Sequence, residues 1–160
     1  MIDQQVSYDI YTPFGPKILK SSVPQLIVDA INKEADGILT DEKKRKDHDY
    51  SHNLAGNIKY ECALPLHKVP SLELLINKLS SEYVTKTVKD YVDIHDANLS
   101  GVCFLKLPPG YDEEYRREDH HPSIGCLEFL GSVPNHFASH SYLVKPELGD
   151  IYVFPSWLSH

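Results

Sequence analysis

Hydrophobic positions in the first half of the chain follow a helical period. Two stretches show the three-to-four residue spacing of an amphipathic helix. Their apolar positions are Leu26, Ile27, Ala30 and Ile31 in one stretch and Leu72, Leu75, Ile76 and Leu79 in the other. We predict that the first helix is capped by Ser22, carries Pro24 in its first turn and stops near Gly37. The second is predicted to begin near Pro70, and the charged segment 40–51 between them predicts a mobile surface loop.

Short strands dominate the prediction for the second half, and a hairpin is predicted at the N-terminus. Residues 8–19 predict two strands around a Pro/Gly turn. The composition turns β-like from Tyr83, although a helix can persist there for one or two turns. The predicted strands are 99–107, stopped by Pro108-Pro109-Gly110, then 124–130, 139–144 and 151–154, the last ending at Pro155. Helices followed by short strands predict an α+β fold, in which helices buttress an antiparallel sandwich or barrel.

Composition narrows the class of protein. With 160 residues, 41% of them hydrophobic and 24% charged, we expect one globular domain over 1–160, with helical support over about 1–82 and a barrel over about 83–160. The net charge of −7 argues against a nucleic-acid partner. We find no apolar run long enough for a membrane span and no secretory signal, and therefore expect a cytoplasmic protein. Cys62, Cys103 and Cys126 form no CxxC pair, so free thiols are expected.

The C-terminal segment 146–160 contains the first candidate for chemistry. Gly149-Asp150 predicts a turn that starts a short buried strand, and Pro155 prevents this strand from continuing in a central ladder. We expect Trp157 and Leu158 to pack, so that His160 is presented just beyond the strand end. A rigid strand end can hold a metal ligand accurately, although a lone histidine in such a place is more often structural.

The second candidate lies just before a predicted strand, where Asp93 and Asp96 bracket His95. A non-haem Fe(II) oxygenase centre requires two histidines and one carboxylate, with the remaining positions open to O2 and a co-substrate. In an extended segment, Asp93 and His95 point to one side and Asp96 to the other. The alternative is an ordinary surface turn.

The two candidates together resemble the double-stranded β-helix 2-oxoglutarate/Fe(II) oxygenases, in particular the type common in phage and marine bacterial genomes, which is related to prolyl hydroxylases. The resemblance covers about Tyr91 to His160. Its most specific parts are Leu99-Ser-Gly-Val, Pro-x-x-Gly-Asp at 146–150 and Phe-Pro-Ser-Trp-Leu-x-His at 154–160. It implies a jelly-roll or cupin-like barrel buttressed by N-terminal helices, Fe(II), 2-oxoglutarate as co-substrate, and hydroxylation of a small molecule or a peptide, with a prolyl residue as the first guess.

Carried onto this sequence, the resemblance implies His95 as the proximal and His160 as the distal iron ligand. The family places an acid or a second histidine two residues after the first ligand, where this chain has Ala97. Three possibilities stay open for the carboxylate ligand. It is Asp93, with the order of acid and histidine reversed; it is Asp96, with a local shift of the chain; or the site is incomplete. We prefer Asp93 because an extended segment puts it on the same side as His95.

The co-substrate has no assigned ligand in the sequence. By resemblance, an Arg or Lys beyond the distal histidine pairs with the far carboxylate of 2-oxoglutarate, and we expect the native chain to continue past His160 into the strand that bears it. A tyrosine that often does the same task is replaced here by Cys103-Phe104.

Two rival functions remain at this stage. One is a non-catalytic cupin-like barrel that binds or supports other molecules, a degenerate oxygenase, which Ala97 and Phe104 favour. The other is a zinc-dependent cupin enzyme without 2-oxoglutarate. The oligomeric state stays open. Six other histidines were considered as ligands and not assigned to the metal: His48, His52, His120, His121, His136 and His140.

Overall fold

The computed structural model describes residues 7–13, 15–51, 60–87, 98–116, 125–131 and 140–160, and it contains both helices and antiparallel strands. The helices are α1 (Gln25–Leu39), α2 (Glu42–Asp47), α3 (Pro70–Thr87) and α4 (Tyr111–Tyr115), with a 3-10 turn at Leu66–Lys68. The strands are β1 (Tyr8–Tyr11), β2 (Ile18–Ser22), β3 (Leu99–Cys103), β4 (Leu127–Leu130), β5 (Ser141–Val144) and β6 (Asp150–Pro155). This content agrees with the α+β prediction, while the double-stranded β-helix stays a prediction.

The chain divides into two compact units, one formed by Met1–Val23 with Leu79–His160 and the other by Pro24–Lys78. The first unit contains a four-stranded sheet in the order β1-β2-β6-β3 and a two-stranded sheet of β4 and β5. All of these pairings are antiparallel. The single domain over 1–160 stays a prediction.

The central strand β6 organises the core of the first unit. Side chains alternate along a strand, so Tyr152 and Phe154 share one face, and both are buried. They join Ile18 of β2 and Phe129 of β4 in one hydrophobic cluster, in which the Phe129 and Phe154 rings meet edge to face at 4.9 Å. Val153, on the opposite face, is buried as well. A strand covered on both faces has a fixed register, because a slip of one residue would exchange the two faces.

The N-terminal hairpin was correctly predicted as two strands, but it belongs to the sheet rather than to the helical support. Lys20 of β2 pairs in register with Tyr152 of β6. The last turns of α3 hold the hairpin, because the Tyr83 hydroxyl donates to the Lys17 carbonyl at 2.8 Å. The helix continues to Thr87, in agreement with the expectation that a helix can persist for one or two turns beyond Tyr83.

In the second unit, both ends of α1 differ from the ends that the sequence predicts. Ser22 is the last residue of β2 and pairs with Asp150, so it cannot cap α1. The N-cap is Pro24, whose carbonyl accepts from the Ile27 and Val28 amides at 2.8 and 3.2 Å. At the other end the helix passes through Gly37 and ends at Leu39, since a glycine lowers helix stability without breaking the hydrogen-bond ladder.

The segment 40–51 contains the helix α2 rather than the predicted loop. The Asp41 side chain accepts hydrogen bonds from the Lys43 and Lys44 amides and caps the helix, while Lys46 pairs with Glu42 one turn away at 3.1 Å. No residue of α2 is buried, so hydrophobic periodicity could not reveal it. Capping and charge placement stabilise this short helix instead.

Two elements of the second half also differ from prediction. β3 ends at Cys103 because its ladder partner β6 begins at Asp150, the last pairing in register being Cys103 with Ile151. Beyond it the Pro108-Pro109-Gly110 turn leads into α4, which we did not predict; Gly110 has a φ of 75°. A helix of five residues is too short to show a 3.6-residue period.

Candidate metal centre

The turn after β6 carries the distal candidate ligand from one sheet to the other. Pro155 accepts a hydrogen bond from the Leu158 amide at 3.0 Å, and the Ser156 amide donates to the Asn98 carbonyl at 3.0 Å. The Ser159 carbonyl then accepts from the Leu130 amide of β4 at 2.9 Å. The chain therefore leaves the four-stranded sheet and reaches the two-stranded sheet within four residues, and His160 follows directly.

The two residues predicted to pack in this turn behave differently. Leu158 is 3% exposed, whereas Trp157 is 69% exposed. Leu158 belongs to the core cluster with Phe154 and Phe129, so it anchors the turn. The prediction that Trp157 packs is wrong, since the turn directs its indole to the surface.

The His160 imidazole is held in one orientation by its neighbours. Its Nδ1 lies 3.0 Å from the Leu158 carbonyl oxygen, and its ring meets the Phe154 ring edge to face at 4.8 Å. A carbonyl can only accept a hydrogen bond, so Nδ1 carries the proton in the neutral imidazole and Nε2 keeps its lone pair. Metal-bound histidines have this arrangement, with the second ring nitrogen fixed by a backbone carbonyl or a carboxylate. The chemistry of His160 fits a metal ligand.

The other candidate ligands, Asp93, His95 and the alternative Asp96, lie outside the described residues, as does Ala97. Within the described ranges, no group of three His, Cys, Asp or Glu side chains could hold a metal ion. Asn98, three residues after His95, hydrogen-bonds the turn that leads to His160.

The remaining histidines are placed only in part. His48 is engaged by the Ala63 carbonyl through Nδ1 at 2.9 Å, next to the bridge between Asp49 and Cys62. His140 is exposed, and its carbonyl accepts from the Gly131 amide at 2.6 Å. The other four histidines of this group of six, His52, His120, His121 and His136, lie outside the described residues.

A buried ionic cluster at the start of β6 was missed by sequence reasoning. Asp150 is 4% exposed; one of its carboxylate oxygens accepts from Lys20 Nζ at 2.8 Å and from the Tyr152 hydroxyl at 3.2 Å. The hydrogen bond to Asp150 raises the pKa of Lys20, and burial raises the pKa of Tyr152 to about 12. The alternation of Asp150 and Tyr152 on one face was visible in the sequence, but the partner on β2 was not.

Next to this cluster lies the pair Cys103-Phe104, which the resemblance places where related enzymes often carry a tyrosine. Phe104 packs edge-on against Tyr152 at 6.3 Å, and its amide donates to the Asp150 carbonyl at 3.0 Å. Burial raises the pKa of the Cys103 thiol to about 11, and the Asp150 charge adds to the effect. All three cysteines are free.

Residues 84–160 match a family model described as "Putative 2OG-Fe(II) oxygenase". The match supports the resemblance drawn from the ligand-bearing motifs, and residues 84–160 are therefore similar to the 2-oxoglutarate/Fe(II) oxygenases. It spans β3 to β6 together with Asp93, His95 and His160. No curated protein and no solved structure matches the chain.

Among the described residues, no helix has the length and apolar character needed to cross a membrane.

Proposed function

We propose that this protein is an Fe(II)- and 2-oxoglutarate-dependent oxygenase that hydroxylates a peptide or a small molecule, with a prolyl residue as the first candidate substrate. The family match over residues 84–160 carries the proposal. The orientation of His160 supports it, because a proton on Nδ1 leaves Nε2 available to a metal.

His160 and His95 would hold the iron, with Asp93 as the carboxylate and Asp96 as the alternative. Two histidines and one carboxylate leave positions open for the co-substrate and O2. When bound, iron and 2-oxoglutarate supply the oxidation, in which one oxygen atom of O2 enters the substrate as hydroxyl and the other enters succinate as CO2 is released. The chain's own residues orient the imidazole: the Leu158 carbonyl accepts a hydrogen bond from Nδ1–H, and the Phe154 ring meets the imidazole edge to face.

Anaerobic titration of the full chain with Fe(II) and 2-oxoglutarate tests the proposal. We expect a weak visible metal-to-ligand absorption band that disappears in His160→Ala and in His95→Ala and persists in His67→Ala, an exposed histidine of the other unit. Admission of O2 with a substrate should then release succinate. A correctly folded wild-type chain that binds Fe(II) and 2-oxoglutarate without this band would contradict the proposal.

The same titration assigns the carboxylate. If Asp93 is the ligand, Asp93→Ala abolishes the band and Asp96→Ala leaves it; the reverse result assigns the role to Asp96. If both variants keep the band, neither Asp93 nor Asp96 is the carboxylate ligand, and His95 and His160 have no carboxylate partner from this segment.

A non-catalytic barrel is the second candidate, and one contact favours it. Phe104, in the place of the family's tyrosine, offers no hydroxyl to a co-substrate and packs against Tyr152 instead. This reading predicts neither the absorption band nor succinate release. A zinc-dependent cupin enzyme predicts metal binding without succinate.

A further inference from the structure

A series of packed aromatic rings begins at His160 and runs through the core of the first unit. The His160 imidazole meets the Phe154 ring at 4.8 Å, and Phe154 meets Phe129 at 4.9 Å, both measured between ring centres. Phe129 stacks on Tyr142 at 6.4 Å, and Tyr142 stacks on Tyr11 at 6.1 Å. We call these five rings the ring column.

The ring column joins two parts of the surface through the buried interior. Phe154 and Phe129 are completely buried, whereas His160 is exposed and Tyr142 and Tyr11 are half-buried. Protein interiors are packed as densely as organic crystals, and the rate of electron tunnelling falls steeply with every gap between atoms. Closely packed rings that link an exposed imidazole to two phenols therefore form a path along which an electron can pass.

The rings of the column differ in how easily they are oxidised. Phenyl rings such as Phe154 and Phe129 are much harder to oxidise than phenols, so they bridge the path and hold no charge. A phenol loses an electron readily when its hydroxyl proton leaves at the same time, because the oxidised phenol is a strong acid. The electron donors of the column are therefore the stacked phenols Tyr142 and Tyr11, whose protons water can accept because both residues are half-buried.

Tyr152 lies as close to Phe129 as Tyr142 does, at 6.3 Å between ring centres, but its hydroxyl proton is enclosed. The residue is 1% exposed, and its hydroxyl donates to Asp150, whose carboxylate is paired with Lys20 at 2.8 Å. Moving the proton onto Asp150 would remove the charge that Lys20 is paired with, and breaking such a buried pair is costly. Oxidation is therefore easier at Tyr142 than at Tyr152.

We propose that the ring column carries an electron from Tyr142 to an oxidant at His160 and so protects the candidate metal centre when no substrate is bound. The oxidant gains one electron, Tyr142 loses it and releases its hydroxyl proton to water, and a neutral phenoxyl radical remains on the stacked pair Tyr142–Tyr11. A soluble thiol then returns a hydrogen atom to the phenol and becomes a thiyl radical. The protective role rests on the proposed oxygenase function, in which the oxidant is formed from O2 at the metal, whereas the electron path itself does not.

Pulse radiolysis of the metal-free full chain tests the electron path. Trp157 is the one tryptophan of the chain, is 69% exposed and lies between Phe154 and His160 in the sequence. Azide radicals oxidise an exposed indole, which places an oxidant at this end of the ring column without a metal. We expect the absorption of the indole radical to decay while that of a phenoxyl radical rises, at a rate that does not change with protein concentration. Absence of this first-order conversion would overturn the proposal.

Three variants identify the path. Tyr142→Phe keeps the ring and removes the oxidisable phenol, so the first-order conversion should be largely lost. Tyr152→Phe is the matched control, because it makes the same change at nearly the same distance from Phe129, and it should keep the conversion. Phe129→Leu removes the bridging ring and should slow the conversion. A folded Tyr142→Phe chain that converts at the wild-type rate contradicts the proposal, as does loss of the conversion in Tyr152→Phe alone.

The protective role is tested on the metal-loaded chain. Fe(II) and 2-oxoglutarate are added, O2 is admitted without a substrate, and mass spectrometry locates the oxidised residues. We expect oxidation at Tyr142 or Tyr11 in the wild type and more oxidation of His160 in Tyr142→Phe; equal oxidation of His160 in both chains would overturn the protective role.

The two experiments separate the electron path from the oxygenase chemistry. If the metal-free conversion occurs but the Fe(II)–2-oxoglutarate absorption band does not form, the protective role fails with the proposed function and the electron path stands. If the band forms and the metal-free conversion is absent, the ring column proposal fails alone.

Discussion

The two ends of strand β6 differ in how their polar groups are satisfied. At the start, Asp150 is buried and one of its carboxylate oxygens accepts from both Lys20 and Tyr152, so its charge is paired within the fold. Beyond the end, His160 uses Nδ1 on a neighbouring carbonyl and keeps Nε2 for another partner. A buried charge that is paired within the fold stabilises it, whereas a fixed imidazole whose Nε2 keeps its lone pair is prepared to bind a metal. The strand therefore joins a structural end to a candidate functional end.

The largest expected effect is at the functional end. His160→Ala should weaken Fe(II) binding by a hundredfold or more, since changing even a partner of a metal ligand costs about 10- to 100-fold. Thermal stability should change little because the residue is exposed. Metal titration followed by thermal denaturation without metal measures both. A large loss of stability with metal binding retained would make His160 a structural residue.

At the structural end, a substitution should change the stability of the fold rather than metal binding. Asp150→Asn removes the charge that Lys20 and Tyr152 share, and we expect a loss of about 2 kcal/mol, typical of a hydrogen bond to a charged group. Metal affinity should stay unchanged. The matched control is Asp112→Asn, because the Asp112–Lys145 pair is exposed at the surface and such pairs contribute little. Chemical denaturation compares the two variants, and equal losses would remove the distinction between the ends of β6.

Sequence reasoning pointed to His160 as a candidate metal ligand, which stays a prediction, and it missed the ionic cluster at the structural end. His160 follows a motif that is contiguous in the sequence, and Pro155 by itself predicts where the strand ends. The partner of Asp150 is Lys20, 130 positions earlier, and only the register between β2 and β6 brings them together. The Trp157 side chain was misjudged for a similar reason. Hydrophobicity predicts packing, but the hydrogen bonds of Ser156 and Leu158 decide which side of the turn faces the core.

The contact between Gly125 and the Tyr111 ring allows a smaller test. Gly125→Ala places a Cβ 2.9 Å from the Tyr111 ring at a φ of 70°, so we expect the free energy of unfolding to fall by about 1 kcal/mol. Gly37→Ala is the control, since nothing lies within 4 Å of its Cβ and alanine favours a helix by up to about 1 kcal/mol. Chemical denaturation should show a lower free energy of unfolding for Gly125→Ala and a higher one for Gly37→Ala. An unchanged free energy of unfolding in Gly125→Ala would mean that Tyr111 is not held by this contact.

The smallest effect concerns Cys103, which pairs with Ile151 next to Asp150. Burial raises its pKa from 9.0 to about 11, so the folded state favours the neutral thiol. The stability that this supplies is fully present below pH 9 and is lost as the pH rises from 9 through 11. Cys103→Ser removes the titrating group, and the fall in stability over that range should become shallower.

Because Asp150 is the second cause of the raised Cys103 pKa, the thiol also reports on the charge at the structural end. Asp150→Asn should lower this pKa while leaving it above 9.0, since burial is the larger cause. The pH dependence of thiol modification measures it in a chain with Cys62→Ser and Cys126→Ser. His160→Ala should leave the midpoint unchanged, because His160 lies beyond the other end of β6. An equal shift in both variants would show that the two ends are coupled, and the division of β6 into a structural and a functional end would then be wrong.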